Sequence, residues 1–274
     1  MARAGTVAYA QVSMQHIEGS FRGVGGLKIY TQQWLPEGPP RAVLLLVHGY
    51  AEHSGRYGNL VGHFVQRGYA ICALDHRGHG RSEGARVHID DFADYLADLA
   101  TYEGIVRAQF PGTKVFLLGH SMGAMIATAY LPAHQHSFAG AVISGGGIAP
   151  EDAPPPAPVG DLAATVSRDP AVVQAYRDDP LNYHGPPLAA RAEAMRGWRS
   201  RLRDLASEIT LPIIIMAGSG SPLGDAPRSA AMYDAVRSAD KTLRLYEGLY
   251  HEIFNEPERA LVLADLEAWL SART

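Results

Sequence analysis

Five stretches of this chain are almost uniformly apolar: residues 42–47, 69–74, 114–118, 138–144 and 211–216. They are short for helices and lack the period-two alternation of a strand with one wet face. They therefore read as strands buried on both faces. Between them lie segments with apolar residues at helical spacing. Phe92, Leu96, Leu99, Tyr102 and Val106 mark one face of a helix predicted over 90–109. Strand–helix alternation of this kind implies a mostly parallel sheet covered on both faces.

Three further strands complete the pattern. Residues 16–21 and 27–34 alternate apolar and polar side chains around Gly-rich turn chemistry and read as an antiparallel hairpin. Lys241–Tyr246 precedes a last helix that buries Val262, Leu266, Trp269 and Leu270, with Asn255 and Glu258 spaced as a capping box. The expectation is an eight-stranded, mostly parallel α/β sheet. Its alternation lapses once. No strand is predicted between about 148 and 210, where a Pro- and Ala-rich stretch leads into Arg-bearing helical segments broken by Pro180, Pro186 and Pro187. Two core pieces, 1–147 and 210–274, thus flank a short helical cap over 148–209, inserted after the sixth strand. Such an insertion sits over the carboxyl ends of the strands, where open α/β sheets bind ligands.

Composition narrows the function. The 274 residues carry a formal net charge of -4, which argues against a nucleic-acid partner. No apolar run approaches the roughly 18 residues that span a bilayer, and the first residues lack the apolar core of a signal peptide. The single cysteine, Cys72, falls in an apolar run and reads as a buried small hydrophobe, compatible with a reducing, cytoplasmic compartment.

The chemistry centres on Gly119-His120-Ser121-Met122-Gly123. An apolar strand precedes it and a helical run, 124–130, follows. Strand, G-x-S-x-G turn and helix make a nucleophile elbow, which lifts the serine Oγ out of the backbone. The helix N-terminus then turns its N–H groups and positive dipole end toward a developing oxyanion. Ser121 is the candidate nucleophile. His251, between the last strand and the last helix, is the candidate base, since the order serine, then a late histidine, is that of the α/β-hydrolase fold. Met122, directly after the serine, and Tyr50, after the His48-Gly49 strand exit, are the candidate backbone donors for the oxyanion. His48, His76 and His79 lie on strand-end loops and read as shaping the site.

Four segments together, His48–Tyr57, Asp75–Ser82, Gly119–Gly123 and Tyr246–His251, resemble the monoacylglycerol lipase (serine aminopeptidase S33-like) branch of the α/β-hydrolases, over about residues 16–272. The resemblance implies an α/β-hydrolase fold and a serine ester hydrolase acting on monoacylglycerols or short to medium acyl esters, with no metal or organic cofactor. It supports Ser121, His251, Tyr50 and Met122 in the roles above. It also implies Glu52, Arg56 and His120 near the glycerol end of the substrate and Tyr176 reaching in from the cap.

The chain departs from the family pattern twice. In Gly218-Ser-Gly-Ser221-Pro-Leu-Gly-Asp225, Ser221 occupies the position of the usual catalytic aspartate and Asp225 follows four residues on. A hydroxyl can orient an imidazole but cannot stabilise an imidazolium by charge. Three readings stay open: Asp225 as acid, an acid beyond the sixth strand such as Glu151 or Asp152, or no acid. The last makes the protein a degenerate hydrolase that binds an ester-like ligand with little turnover. Second, the start of the cap is short and Pro-rich instead of a long apolar helix, so at most weak peripheral membrane contact is expected. A lysophospholipase or a peptidase on the same residues is the remaining alternative. Oligomeric state is not legible from the chain.

Overall fold

The computed structural model describes residues 14–150, 160–186 and 188–274. Strand β3 (Ala42–Val47) lies mid-sheet because all six of its side chains are apolar and all are buried. Val43, Leu45 and Val47 enter one apolar layer, and Leu44 and Leu46 enter the other. The eight strands are β1 (Gln15–Arg22), β2 (Lys28–Leu35), β3, β4 (Tyr69–Leu74), β5 (Val115–His120), β6 (Gly140–Ser144), β7 (Ile213–Gly218) and β8 (Lys241–Tyr246). They order as β1-β2-β4-β3-β5-β6-β7-β8. β2 is antiparallel to both its neighbours, and every pairing from β4 to β8 is parallel. The expected ends of β3, β4 and β8 are those observed; β5 and β7 run two residues further toward their functional loops.

Helices α2 (Ala93–Gln109), α3 (Met122–His134) and α7 (Asp225–Ala235) cover the first layer, and α1 (Gly58–Val65) and α8 (Arg259–Ser271) the second. Between β6 and β7 come α4 (Ala163–Val166), α5 (Pro170–Asp178) and α6 (Ala189–Ser207). Ala163, Val166 and Tyr176 form a small apolar cluster of their own. Helix α6, though inside the expected cap range, buries Met195, Leu202 and Ala206 in the same layer as α3 and α7. Among the described residues no helix is long and apolar enough to cross a membrane.

The expected capping box does not form. Residues 253–255 make a single 3-10 turn, α8 starts only at Arg259, and Glu258 precedes it without a side-chain cap. Other partners claim the polar groups of the box, beginning with the Asn255 amide, which donates to the Glu252 carbonyl at 2.7 Å. Asn255 donates to Glu252 at 2.9 Å and accepts from Asn59 at 2.9 Å, while Glu258 pairs with Arg168.

Asp98 lies on the buried face of α2 and is 1% exposed. Its carboxylate accepts from Arg77 Nε at 2.8 Å, from Arg77 Nη2 at 2.9 Å and from the Val24 amide at 2.9 Å. The fork ties the 75–82 loop to the helix layer. Asp98→Ala should lower stability by about 3 kcal/mol, because a buried guanidinium loses its bidentate partner. Urea unfolding should show the loss as a lower midpoint at unchanged slope.

Candidate active site

β5 ends at His120 and α3 begins at Met122, so Ser121 alone makes the turn. It does so at φ 55 and ψ -114, a strained conformation for a residue with a side chain. Packing enforces it. A Cβ at Gly119 would lie 2.4 Å from the Gly123 carbonyl oxygen, and one at Gly123 would lie 1.9 Å from that of Val47. Only glycine permits that approach. The Ser121 amide donates to the Ser144 carbonyl at 2.9 Å, and Ala124 donates back to the Ser121 carbonyl at 3.0 Å. Met122 opens α3, so its N–H belongs to the first turn at the positive end of the helix dipole.

His251 lies in the loop after β8. Its Nδ1 sits 2.7 Å from Asp225 Oδ2, and both side chains are buried. The carboxylate fixes the proton on Nδ1 and leaves Nε2 as the reactive nitrogen. Asp225 is the first residue of α7, where the helix dipole favours a negative charge. The usual acid position, Ser221, is also buried, and its hydroxyl accepts from the Leu223 amide at 3.3 Å. Glu151, Asp152 and the Pro-rich stretch through Val159 lie outside the described residues.

Burial alone would pull the His251 imidazole down. The Asp225 carboxylate outweighs it by charge and hydrogen bond, with Glu252 and Glu52 adding to the field, and the net pKa is raised. For Asp225 burial pushes up, but His251 and the Ser221 hydroxyl hold the carboxyl below its ordinary value. The neighbouring ring of His120, 4.7 Å from that of His251, is driven down to about 3 by burial and by repulsion from His251, so it stays neutral.

The residues expected at the glycerol end form a buried ionic network. Glu52 accepts from the Gly49 amide at 2.6 Å, from the Tyr57 hydroxyl at 2.7 Å and from Arg56 at 3.3 Å. Arg56 forks onto both oxygens of Glu252, the residue after the candidate base. Glu52, Tyr57, His120, Glu252, Phe254 and Asn255 line a cavity of about 10 Å³, room for one water. Tyr176 stands under the Arg56 guanidinium, 4.5 Å from its ring, and donates its hydroxyl to the Ala51 carbonyl at 3.0 Å. The Tyr183 amide donates to the same carbonyl at 3.0 Å. On the other side of the site, His251 and Glu252 donate their amides to Thr165 and Val166 of α4 at 3.4 and 2.7 Å. The segment between β6 and β7 thus sits on both candidate loops. Glu252, Tyr183 and Asp179, which holds His53 at 2.8 Å, carried no local signal in the sequence, because each acts through a partner 126 or more positions away.

With this geometry in hand, comparison with known proteins settles the class. The family profile described as serine aminopeptidase, S33 matches residues 38–258. The chain belongs to this family of α/β-hydrolases, in its monoacylglycerol lipase branch, and is a hydrolase. A monoacylglycerol lipase of Mycolicibacterium smegmatis is 40% identical, covering 94% of this chain and 98% of that protein. Among solved structures, the monoacylglycerol lipase of Paleococcus ferrophilus aligns with a TM-score of 0.77 at 25% identity, over 90% of this chain and 99% of that one. A thermostable carboxyl esterase from Bacillus coagulans shares the fold with a TM-score of 0.82 at 23% identity, over 95% and 99%. The alternative of a degenerate binding protein is not supported. It rested on a missing carboxylate, and a carboxylate stands against His251.

Linkage sets the pH window of the His251–Asp225 pair. The raised histidine contributes stability fully present below its ordinary pKa and lost as pH rises through its folded value. The lowered aspartate contributes stability present above its ordinary pKa and lost as pH falls through its folded value. Both contributions are complete between about pH 4 and 6.5. Asp225→Asn should therefore destabilise the protein more at pH 5 than at pH 8 in thermal melts. It should also drop the His251 imidazole titration, followed by NMR, to below its wild-type value.

Proposed function

We propose that this hydrolase cleaves monoacylglycerols and short- to medium-chain acyl esters through an acyl-enzyme on Ser121. The contact between His251 and Asp225 at 2.7 Å, beside an elbow that holds Ser121 in a strained turn, carries the reading. Ser121 Oγ attacks the ester carbonyl while His251 Nε2 takes its proton. The negative charge gathers on the former carbonyl oxygen, where the N–H groups of Tyr50 and Met122 receive it. Collapse breaks the ester bond, and His251 returns the proton to the leaving alkoxide, releasing glycerol. Water then attacks the acyl-serine with His251 again as base, freeing the fatty acid and restoring Ser121. Asp225 holds the imidazole in its tautomer and stabilises the imidazolium in both halves.

Glu52, Arg56, His120 and Tyr176 support the alcohol side of the site from behind. The cap proper is the α4–α5 unit, since α6 shares the core layer. The substrate is met in a cytoplasmic setting, with at most weak peripheral contact with lipid surfaces.

Hydrolysis of p-nitrophenyl acetate, butyrate and octanoate and of a monoacylglycerol, with Ser121→Ala as blank, tests the reading. A lysophospholipid and an aminoacyl p-nitroanilide serve as the competing substrate classes. Serine-dependent turnover highest on the glycerol ester is expected, and turnover confined to the nitroanilide sinks the assignment. Asp225→Asn should lower kcat by about 10⁴-fold. The acid limb of kcat/KM should be centred above the ordinary imidazole value of about 6.5, because the base must lose its proton, and Asp225→Asn should move that limb to lower pH.

A further inference from the structure

The backbone of His251 is held from the cap. Its N–H donates to the Thr165 carbonyl at 3.4 Å, and that of Glu252 donates to the Val166 carbonyl at 2.7 Å. All four residues are buried, so a lost partner would leave a donor away from water. The contact continues through side chains. Ser167 Oγ donates to the Asn255 carbonyl at 3.2 Å. The Arg168 amide donates to Glu256 Oε1 at 2.7 Å, and Arg168 Nε donates to Glu256 Oε2 at 2.6 Å. Residues 165–168 thus run beside residues 251–256 with a bond at every step. Glu256 is fully buried. Among the described residues only Arg168 bonds its carboxylate, since Arg259 reaches no further than the Glu256 carbonyl, at 3.2 Å. The cation paired with Glu256 therefore comes from the link between α4 and α5.

A buried carboxylate that loses its cation is strongly destabilised. The ion pair therefore holds the link down, and the link holds the two amides. Asp225 fixes the His251 side chain at Nδ1, but that contact alone leaves the ring free to pivot about it. Seating the backbone removes this freedom and sets where Nε2 meets Ser121. We propose that Arg168 is a positioning residue for ester hydrolysis: its bonds to Glu256 seat residues 165–168 on the 251–256 loop, and the main-chain bonds of that segment place His251 against Ser121. The link between α4 and α5 then belongs to the support of the base. The inference rests on the reading in which His251 is that base.

Arg168→Met should lower kcat by about 10- to 100-fold, the loss expected when a base is displaced by up to about 1 Å. The factor should be the same on p-nitrophenyl acetate and octanoate, with KM within about threefold, because the base acts on every ester. A loss confined to KM, or one that grows with acyl length, overturns the proposal. Arg168→Lys keeps a cation for Glu256 and should bring kcat back to within about fivefold of the unmodified enzyme, and lysine no better than methionine overturns the proposal. The stranded carboxylate also destabilises Arg168→Met, and Arg168→Met/Glu256→Met removes it. This double variant should melt nearer the temperature of the unmodified enzyme while kcat stays low. A kcat that returns with the melting temperature gives the pair a role in folding alone and overturns the proposal. Hydrogen exchange needs no turnover. In Arg168→Met the amides of His251 and Glu252 should exchange at least about tenfold faster while those of β3 keep their rates. Unchanged exchange at 251 and 252, or equal acceleration in β3, overturns the proposal. Absence of serine-dependent turnover in the unmodified enzyme overturns the hydrolase reading and this one with it. Full turnover in Arg168→Met overturns this one alone.

Discussion

Every loop that bears on Ser121 leaves the carboxyl end of a parallel strand. That shared constraint brings together segments far apart in sequence. β3 delivers Gly49 and Tyr50, β5 delivers the elbow, β6 the glycine run 145–147, β7 the loop to Asp225 and β8 the loop to His251. Strands buried on both faces cannot slip in register without exposing apolar side chains or stranding hydrogen bonds, so the five loop origins are fixed relative to one another. The approach of Gly123 to the Val47 carbonyl shows how little slack remains. The first turn of α3 is seated directly on the end of β3, which puts the two amides proposed to receive the oxyanion on neighbouring pieces of rigid backbone.

Within that frame, the position of the acid in the chain matters less than the position of its charge. What His251 Nδ1 needs is a carboxylate in hydrogen-bond reach, held at a site where ionisation is favoured. Gly224, at φ 72, turns the chain so that Asp225 opens α7. The helix dipole, the imidazole and the Ser221 hydroxyl then all favour the anion over its protonated form. A serine four residues upstream is thus no vacancy in the site. Its hydroxyl helps to hold the carboxyl that stands on the histidine below its ordinary value.

The division between what could be read in the chain and what could not follows from the range of each interaction. β3 and β4 were legible to the residue, because a run of apolar side chains bounded by polar turns depends only on local chemistry. The elbow was legible for the same reason: glycine, serine and glycine at that spacing state a steric demand by themselves. The acid was not decidable, since a shift of four residues across a turn depends on the conformation of Gly224 and on where the 246–251 loop lies. The box at Asn255 and Glu258 is the converse case, a correct local pattern overridden by bonds to Asn59, Glu252 and Arg168. Glu252 was invisible because its meaning lies in Arg56, 196 positions earlier.

That pair joins the two halves of the site. Arg56 links Glu52, which holds the Gly49 amide, to Glu252, which follows His251 directly. Burying two carboxylates around one guanidinium leaves an excess of negative charge in a region of low dielectric, an arrangement that seldom adds net stability. Its electrostatic effect is felt one residue away. Both carboxylates act with Asp225 to raise the affinity of His251 for a proton, and they do so most strongly when the imidazole is charged. In ester cleavage the imidazole carries that charge while the oxyanion is present. The network is rigid where the oxyanion amide must be aimed and anionic where the imidazolium must be stabilised, so a stabilising role in the transition state accounts for it better than one in folding alone.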